Sequence, residues 1–291
     1  MIEAEVLFNP NAGGVLSRGM TVERLVRLLM EHGISASVRL TDGVPQAVSA
    51  FADVEPDRVF IIAGGDGTLF QAVQAAVCRR SSVGIMPLGT ANDLARSLGI
   101  PLDLDEAAEV IAAGHTCLMD LGIAGDRVFV QAAGVGFHAE AFRIYGERKR
   151  HNIPRAFYAY VTTLARWEPA DVCLTIDGRR EEHAVTQVTV ANTPFYGPGI
   201  RIAPDARVDD GLFDVVILGK LTKREILRFS ASTMKGRSVE LENLIRVPAR
   251  VVEIASLGAS SMWVHADGEP ICCTPVHIEV LPSCLKLIVP G

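Results

Sequence analysis

The densest chemistry in this sequence lies in Gly64-Gly65-Asp66-Gly67-Thr68. These residues follow an apolar run, Val59, Phe60, Ile61 and Ile62, of the kind that forms a buried parallel strand. They lead into a segment of helical period, Leu69, Val73 and Ala76. Thr68 with Gln71 three residues on spells a capping box, so a helix is expected to begin at Thr68. A strand, a glycine turn and a helix in that order aim backbone N–H groups and a positive helix dipole at one point, where phosphate can sit. The turn matches neither the dinucleotide fingerprint nor the P-loop pattern. Taken alone, it serves equally well for tight packing of a strand against a helix.

The device recurs. Expected strands at residues 3–8, 35–40, 59–62 and 83–86 end in the turns Asn9-Pro10-Asn11-Ala12-Gly13-Gly14, Thr41-Asp42-Gly43, the glycine turn above, and Pro87-Leu88-Gly89-Thr90-Ala91-Asn92-Asp93. Thr90 with Asp93 three residues later repeats an N-cap pattern. Helices are expected at residues 21–32, 45–52, 68–76, 93–98 and 105–113, with a further strand at 116–121. Strands alternating with helices predict an open, largely parallel α/β sheet, whose strand ends share one ligand-binding edge. Each turn has a plain account as loop chemistry. Several at one edge favour a polyphosphate site.

Beyond Asp120 the pattern changes. A strand at 127–133 leads into a helical region reaching Trp167. Short strands with turn signals follow at 171–176, 184–191, 213–218, 250–254, 262–265, 276–281 and 285–289, interrupted by one helix at 223–235. Such spacing predicts an antiparallel sandwich, with a domain boundary near residues 121–126.

The chain has 291 residues, net charge −6 and 49% apolar residues, enough for two cores and a poor match to nucleic acid. Mean hydropathy is +0.27, yet no apolar run approaches the roughly 18 residues of a membrane span. The opening, with Glu3 and Glu5, does not read as a secretory signal. Six cysteines without CxxC or finger spacing read as reduced thiols of a cytoplasmic protein.

With these stretches in view, the sequence resembles the bacterial diacylglycerol-kinase-like lipid kinases, whose catalytic domain is shared with sphingosine and ceramide kinases. The matching residues span nearly the whole chain. They are Asn9-Pro10 with its glycine loop, residues 64–68, Pro87 to Ala95, Asp120-Leu121-Gly122, Gly134-Val135-Gly136-Phe137, Asn192 with residues 196–199, Pro204 to Leu212, and Asp267-Gly268-Glu269. The resemblance implies a three-layer α/β domain of phosphofructokinase/NAD kinase type at residues 1–123. It implies a β-sandwich domain at 124–291, with ATP in the cleft between them and phosphoryl transfer to a lipid hydroxyl. Carried over residue by residue, the nucleotide would be held by Asn9, Thr41, Gly64, Gly65, Asp66, Gly67, Thr68, Gly89, Thr90 and Asn92. Asp66, Asp93 and Asp120 match acidic positions that organise Mg²⁺ and water, and Glu269 matches the proton acceptor. The Asp210 carboxylate and the carbonyls of Arg207 and Leu212 match a structural Mg²⁺ site. Where relatives commonly carry an acid, this chain has Gln71, and His138 likewise stands at a commonly acidic position.

The chemistry of these residue types suits phosphoryl transfer, which needs charge neutralisation and in-line placement more than covalent help. Beside that reading stand plainer ones. Asp66 and Asp267 precede glycine as turn residues do, Asp93 suits a helix first turn, and Asp209-Asp210-Gly211 reads as a turn. Residues 143–167 are basic and carry Phe157, Tyr160, Val161, Leu164 and Trp167 at helical spacing. That pattern fits either a core stripe or a transient contact with the inner face of a membrane. The expected partner is a lipid alcohol, and a dimer is left open. Two alternatives are carried: a non-catalytic nucleotide or lipid sensor of the same fold, and a kinase of a soluble acceptor.

Overall fold

The computed structural model describes residues 1–41, 58–74, 81–146, 153–197, 199–233 and 243–291. The helix expected at 45–52 lies outside the described residues. The chain divides into two compact units, Met1–Leu121 with Pro282–Gly291, and Gly122–Leu281. The last ten residues, expected in the second domain, thus pack with the first.

The first unit contains β1 (Ile2–Phe8), α1 (Gly13–Arg18), α2 (Val22–Glu31), β2 (Ile34–Leu40), β3 (Val59–Gly64), α3 (Asp66–Val73), β4 (Ser82–Pro87), α4 (Asp93–Ser97), α5 (Leu104–Ala113) and most of β5 (Thr116–Ala124). The parallel order is β4-β3-β1-β2. In register, Phe8 lies beside Leu40 and Ala63, and Gly64 beside Pro87, so the loops after these strands leave one edge of the sheet, as expected. β3 and β4 are almost wholly buried, which explains their continuous apolar runs, whereas β2 is the half-exposed outer strand. Thr21 caps α2 by accepting the Arg24 N–H, and Asp103 caps α5 at the N–H groups of Asp105 and Glu106.

The second unit is antiparallel. It holds β6 (Arg127–Phe129), β7 (Ala132–Gly136), α6 (Phe137–Gly146), α7 (Ile153–Arg166), β8 (Ala170–Ile176), β9 (Arg179–Ala191), β10 (Phe213–Gly219), α8 (Lys223–Thr233), β11 (Leu244–Ala249), β12 (Val251–Ser256), β13 (Trp263–Ala266), β14 (Glu269–Cys273) and the start of β15 (Val276–Ile288). The long β9 pairs with β8 through its first half and with β7 and β10 through its second. Strand alternation builds two cores. Phe213, Val215 and Ile217 enter the sandwich interior, while Val216 and Leu218 face α7 and α8 and meet Tyr160, Leu164, Ile226 and Phe229.

Several expectations are corrected. The stretch read as one strand at 127–133 is two, β6 and β7, because the N–H groups at the break are taken by Asp267 rather than by a strand partner. The strands read at 276–281 and 285–289 are one, β15. Ser283 at φ 54° forms a local irregularity that the strand passes through. α1, β11 and β14 were not expected.

A buried polar cluster sits on the helix-facing side of the second unit. His265, 0% exposed, shares a 2.9 Å hydrogen bond with the Tyr196 hydroxyl and stacks on its ring at 5.3 Å. His138 keeps some surface, yet Phe142 and Tyr196 about its ring strip most of its water. Burial holds His138 down to about 4, and burial with the neighbouring His138 holds His265 down to about 3. An unfolded histidine titrates near pH 6.5. Below that value the unfolded chain binds more protons than the folded one, so stability is full above about pH 6.5 and falls as the pH drops toward the folded values. Thermal melts at a series of pH values are expected to show this decline, and His265→Phe to flatten it.

Candidate active site

The edge where β1, β3 and β4 end opens into a cavity of about 340 Å³. Asn9, Gly65, Asp66, Gly67, Thr68, Gly89 and Thr90 line it, together with Ala12, Gly13 and Gln71. Gly64 and Asn92 stand behind, around a small void they share with Asp66. Thr41 does not reach the cavity. It is buried at the end of β2, with its N–H on the Phe8 carbonyl at 2.9 Å. Arg18, the nearest cation after the first glycine loop, donates instead to the Leu102 carbonyl.

Helix α3 starts at Asp66, two residues before the expected position, with Gly65 as an N-cap that offers no side chain. The capping box between Thr68 and Gln71 does not form. Thr68 sits in the first turn and accepts a 2.8 Å hydrogen bond from Asn9 Nδ2, while Asn9 Oδ1 accepts the Asn11 N–H. Asn9 thereby ties the first glycine loop to α3. The first N–H groups of a helix have no partners within it. Here no cap side chain covers them, and a Cβ built on Gly67 meets nothing within 4 Å. The Thr68 N–H donates to the Gly65 carbonyl at 3.0 Å, which leaves the Gly67 amide, beside open space at a helix start, as the position suited to a phosphate oxygen.

Backbone approach sets the shape of the cavity. A Cβ on Gly65 would stand 2.9 Å from Gly89 Cα, and one on Gly89 would stand 2.5 Å from Gly65 Cα. The loops after β3 and β4 therefore touch through their main chains. Across the cavity, a Cβ on Gly13 would meet the Thr90 hydroxyl.

Asp66 joins the same loops by hydrogen bonding. Its Oδ2 accepts the Asp93 N–H and its Oδ1 the Leu94 N–H, each at 3.1 Å, so a residue from α3 caps α4. The expected N-cap pattern of Thr90 is not what caps α4. Asn92 occupies the cap position at φ 52°, and its Oδ1 turns back to accept the Gly89 N–H. Burial raises the Asp66 carboxyl above its ordinary value, against the lowering effect of the amides it accepts. Asp120, 1% exposed, is anchored separately, accepting the Ser283 N–H at 2.7 Å.

In the second unit, Asp267 and Gly268 take positive φ values of 48° and 84° and form the tight turn between β13 and β14. The Asp267 carboxylate accepts three N–H groups, from Val130 at 2.7 Å, Gln131 at 2.8 Å and Ala132 at 3.1 Å. The turn is thus pinned, and Glu269 directly follows it. Glu269 is about half exposed, with its Oε2 3.0 Å from Arg127 Nη2. Arg127 was not picked out by sequence reasoning. No motif marks it, and it reaches Glu269 only because β6 and the turn are brought together.

Asp210 Oδ1 accepts the Leu212 N–H at 3.1 Å, and Arg207 pairs with Asp209. Burial, then the charges of Asp210 and Asp205, raise the nearby Asp214 carboxyl. Among the described residues no three His, Cys, Asp or Glu side chains gather to hold a metal. The loop offers one free carboxylate oxygen and main-chain carbonyls in acidic surroundings. Those all-oxygen donors fit a hard cation such as Mg²⁺.

A glycine-lined cavity on a parallel α/β unit, followed by an antiparallel unit with Glu269 after a pinned turn, has residue types that suit phosphoryl transfer to an alcohol. Comparison with known proteins narrows this. Residues 3–124 match the family described as the diacylglycerol kinase catalytic domain, and residues 132–289 the YegS C-terminal NAD kinase beta sandwich-like domain. The chain is 32% identical over 238 residues to a diacylglycerol kinase of Mycobacterium tuberculosis (strain H37Rv), covering 79% of this chain and 76% of that one. A diacylglycerol kinase of Staphylococcus carnosus is 29% identical over 272 residues, covering 91% and 88%. A crystal structure of a diacylglycerol kinase from Bacillus anthracis shares the fold, with TM-score 0.75 at 22% identity, covering 99% and 97%. The chain belongs to the bacterial diacylglycerol-kinase-like family of lipid kinases.

Three substitutions separate the cavity wall from its scaffold. Gly67→Ala points a methyl into open space, so the melting temperature should hold while nucleotide affinity, read by calorimetry, falls about tenfold. Gly89→Ala drives a methyl into the Gly65 backbone and should cost about 1–3 kcal/mol of stability in denaturant melts. Asp66→Ala, which strips the cap from α4, should cost about 2 kcal/mol in the same assay.

Proposed function

We propose that this protein is an ATP- and Mg²⁺-dependent lipid kinase that moves the γ-phosphoryl group to the hydroxyl of diacylglycerol or a related long-chain alcohol. The observation that carries the reading is the uncovered amide at Gly67, in a chain whose relatives are named diacylglycerol kinases. Residues 1–123 would bind the nucleotide and 124–291 the acceptor. The Gly67 amide at the head of α3 holds a phosphate oxygen, Thr68 and Asn9 fix the loop, and Thr90 closes the opposite wall. Gly64, Gly89 and Asn92 shape the cavity from behind, and Thr41 supports it from the end of β2 without touching the ligand.

Bound Mg²⁺ would supply charge neutralisation at the phosphates. Asp66, Asp93 and Asp120 are the carboxylates proposed to organise its water, and Arg207, Asp210 and Leu212 would hold the second, structural ion. Asp66 combines this with its capping role, since each oxygen retains a lone pair after accepting an N–H. Gln71 in the lining, where an acid would add negative charge, leaves less repulsion toward the phosphate tail.

Glu269 is the proposed acceptor of the alcohol proton. Three amides pin the turn before it and Arg127 holds its carboxylate in place, so the base does not have to be ordered at the moment of attack. The protein would work in the cytoplasm, meeting its lipid at the inner face of the membrane through residues 143–167. Among the described residues no helix is long and apolar enough to cross a membrane.

Incubation with Mg-ATP and a panel of lipid and soluble alcohols tests the reading. A phosphorylated lipid is expected, and its absence together with absent ATP binding overturns it. Glu269→Gln should lower kcat by about 100- to 10,000-fold with ATP affinity little changed. ATP binding without turnover, indifferent to this substitution, would mark a nucleotide sensor, and product only from polyols or NAD would mark a soluble-acceptor kinase.

A further inference from the structure

α7 and α8 lie side by side in the second unit, joined by the Tyr160 hydroxyl on Ser230 Oγ at 2.8 Å and by Lys223 Nζ on the Ala165 carbonyl. The numbering of these contacts rises along one helix as it falls along the other, so the pair is antiparallel. Both helices bury one face against the sheet, through Tyr160 and Leu164 on α7 and Ile226 and Phe229 on α8. What they leave outside is unusual for a chain of net charge −6. Phe157 is 69% exposed, Tyr158 58%, Val161 43% and Leu227 48%.

Helical spacing shows that three of these side chains converge. Lys223, Leu227 and Ser230 stand at i, i+4 and i+7, so Leu227 shares the stripe whose other members bind α7. Phe157, Tyr160 and Leu164 stand at i, i+3 and i+7, so Phe157 extends the stripe that binds α8. Val161, at i+4 from Phe157, lies on the same face, so Phe157, Val161 and Leu227 border one seam between the helices on its solvent side, while Tyr158, two residues from Tyr160, points away from it. Around them the charge is reversed from that of the whole chain. Residues 220–228 carry Lys220, Lys223, Arg224 and Arg228 against Glu225, and α7 ends in Arg166. Glu225 is engaged as the cap of α8, accepting from the N–H and hydroxyl of Thr222.

We propose that this two-helix seam is the membrane-docking surface, with Phe157, Val161 and Leu227 entering the headgroup layer of an anionic bilayer and Arg166, Arg224 and Arg228 pairing with its charge. The inference rests on the lipid-kinase reading and adds to it the second helix and the sign of the surface. Apolar side chains on a rigid base, rimmed by cations, suit such a surface, whereas a zwitterionic bilayer offers the cations nothing.

Sedimentation with vesicles tests it. The full chain should pellet with vesicles of equimolar phosphatidylcholine and phosphatidylglycerol, and weakly with phosphatidylcholine alone. Arg224→Glu with Arg228→Glu should lower partitioning on the anionic vesicles by about tenfold or more, at roughly 1 kcal/mol per basic residue lost near the surface, and abolish its salt dependence. Phe157→Glu with Val161→Glu should lower it by a similar factor, with unchanged melting temperature. Wild-type binding that neither pair alters would overturn the proposal. So would a change of oligomeric state in size-exclusion chromatography with vesicle binding intact, which would make a second copy the occupant. Turnover of a short-chain, water-soluble diacylglycerol should survive both pairs while turnover in vesicles falls. Loss of turnover in both formats for the wild type would instead sink the kinase reading and leave the binding result standing by itself.

Discussion

The first unit depends on a single half-buried carboxylate at the edge of its cavity. Asp66 begins one helix and caps another, so the loops after β3 and β4 are held at a fixed separation by two charge-assisted hydrogen bonds. The bare backbone contact between Gly65 and Gly89 is tolerable only because that separation is fixed. Burying the carboxylate is costly, as its raised pKa shows, and the amides offset part of that cost. The result is a fixed meeting of the loops after β3 and β4 at the edge of the cavity.

The same physics appears in the second unit at sites with no part in phosphate binding. Asp177 and Gly178, at φ 46° and 82°, turn β8 into β9, and Asp177 Oδ1 accepts the N–H groups of Arg250 and Val251. Asp267 and Gly268 do likewise toward Val130, Gln131 and Ala132. In each case glycine lets the chain turn, and the preceding aspartate clamps a segment far away in sequence. At Asp267 the clamp also fixes the start of β14, because Gly268 is followed directly by Glu269.

This explains what the sequence made legible. Alternating strands and helices, the shared sheet edge and the change to short antiparallel strands all follow from periodicity and could be read directly. The clamping roles of Asp66, Asp177 and Asp267 could not be read, because their partners lie tens of residues away and no local pattern names them. The same blindness moved the start of α3, where Thr68 looked like a cap but is occupied by Asn9. It also split β15 in two, and it hid Arg127, whose meaning comes from one contact. Of the family's motif positions, Asn9, Gly65, Asp66, Gly67, Thr68, Gly89 and Thr90 line one cavity, while Thr41 lies apart at the end of β2.

The pairing of Leu287 with Val83 has a consequence for how the chain is made. Leu285, Leu287 and Ile288 are buried, yet they are synthesised after the whole of Gly122–Leu281. While the polypeptide grows from the ribosome, the parallel sheet waits with the flank of β4 uncovered, a strand edge open to wrong partners. A chaperone that shields such an edge would be needed longest here, until the final strand arrives.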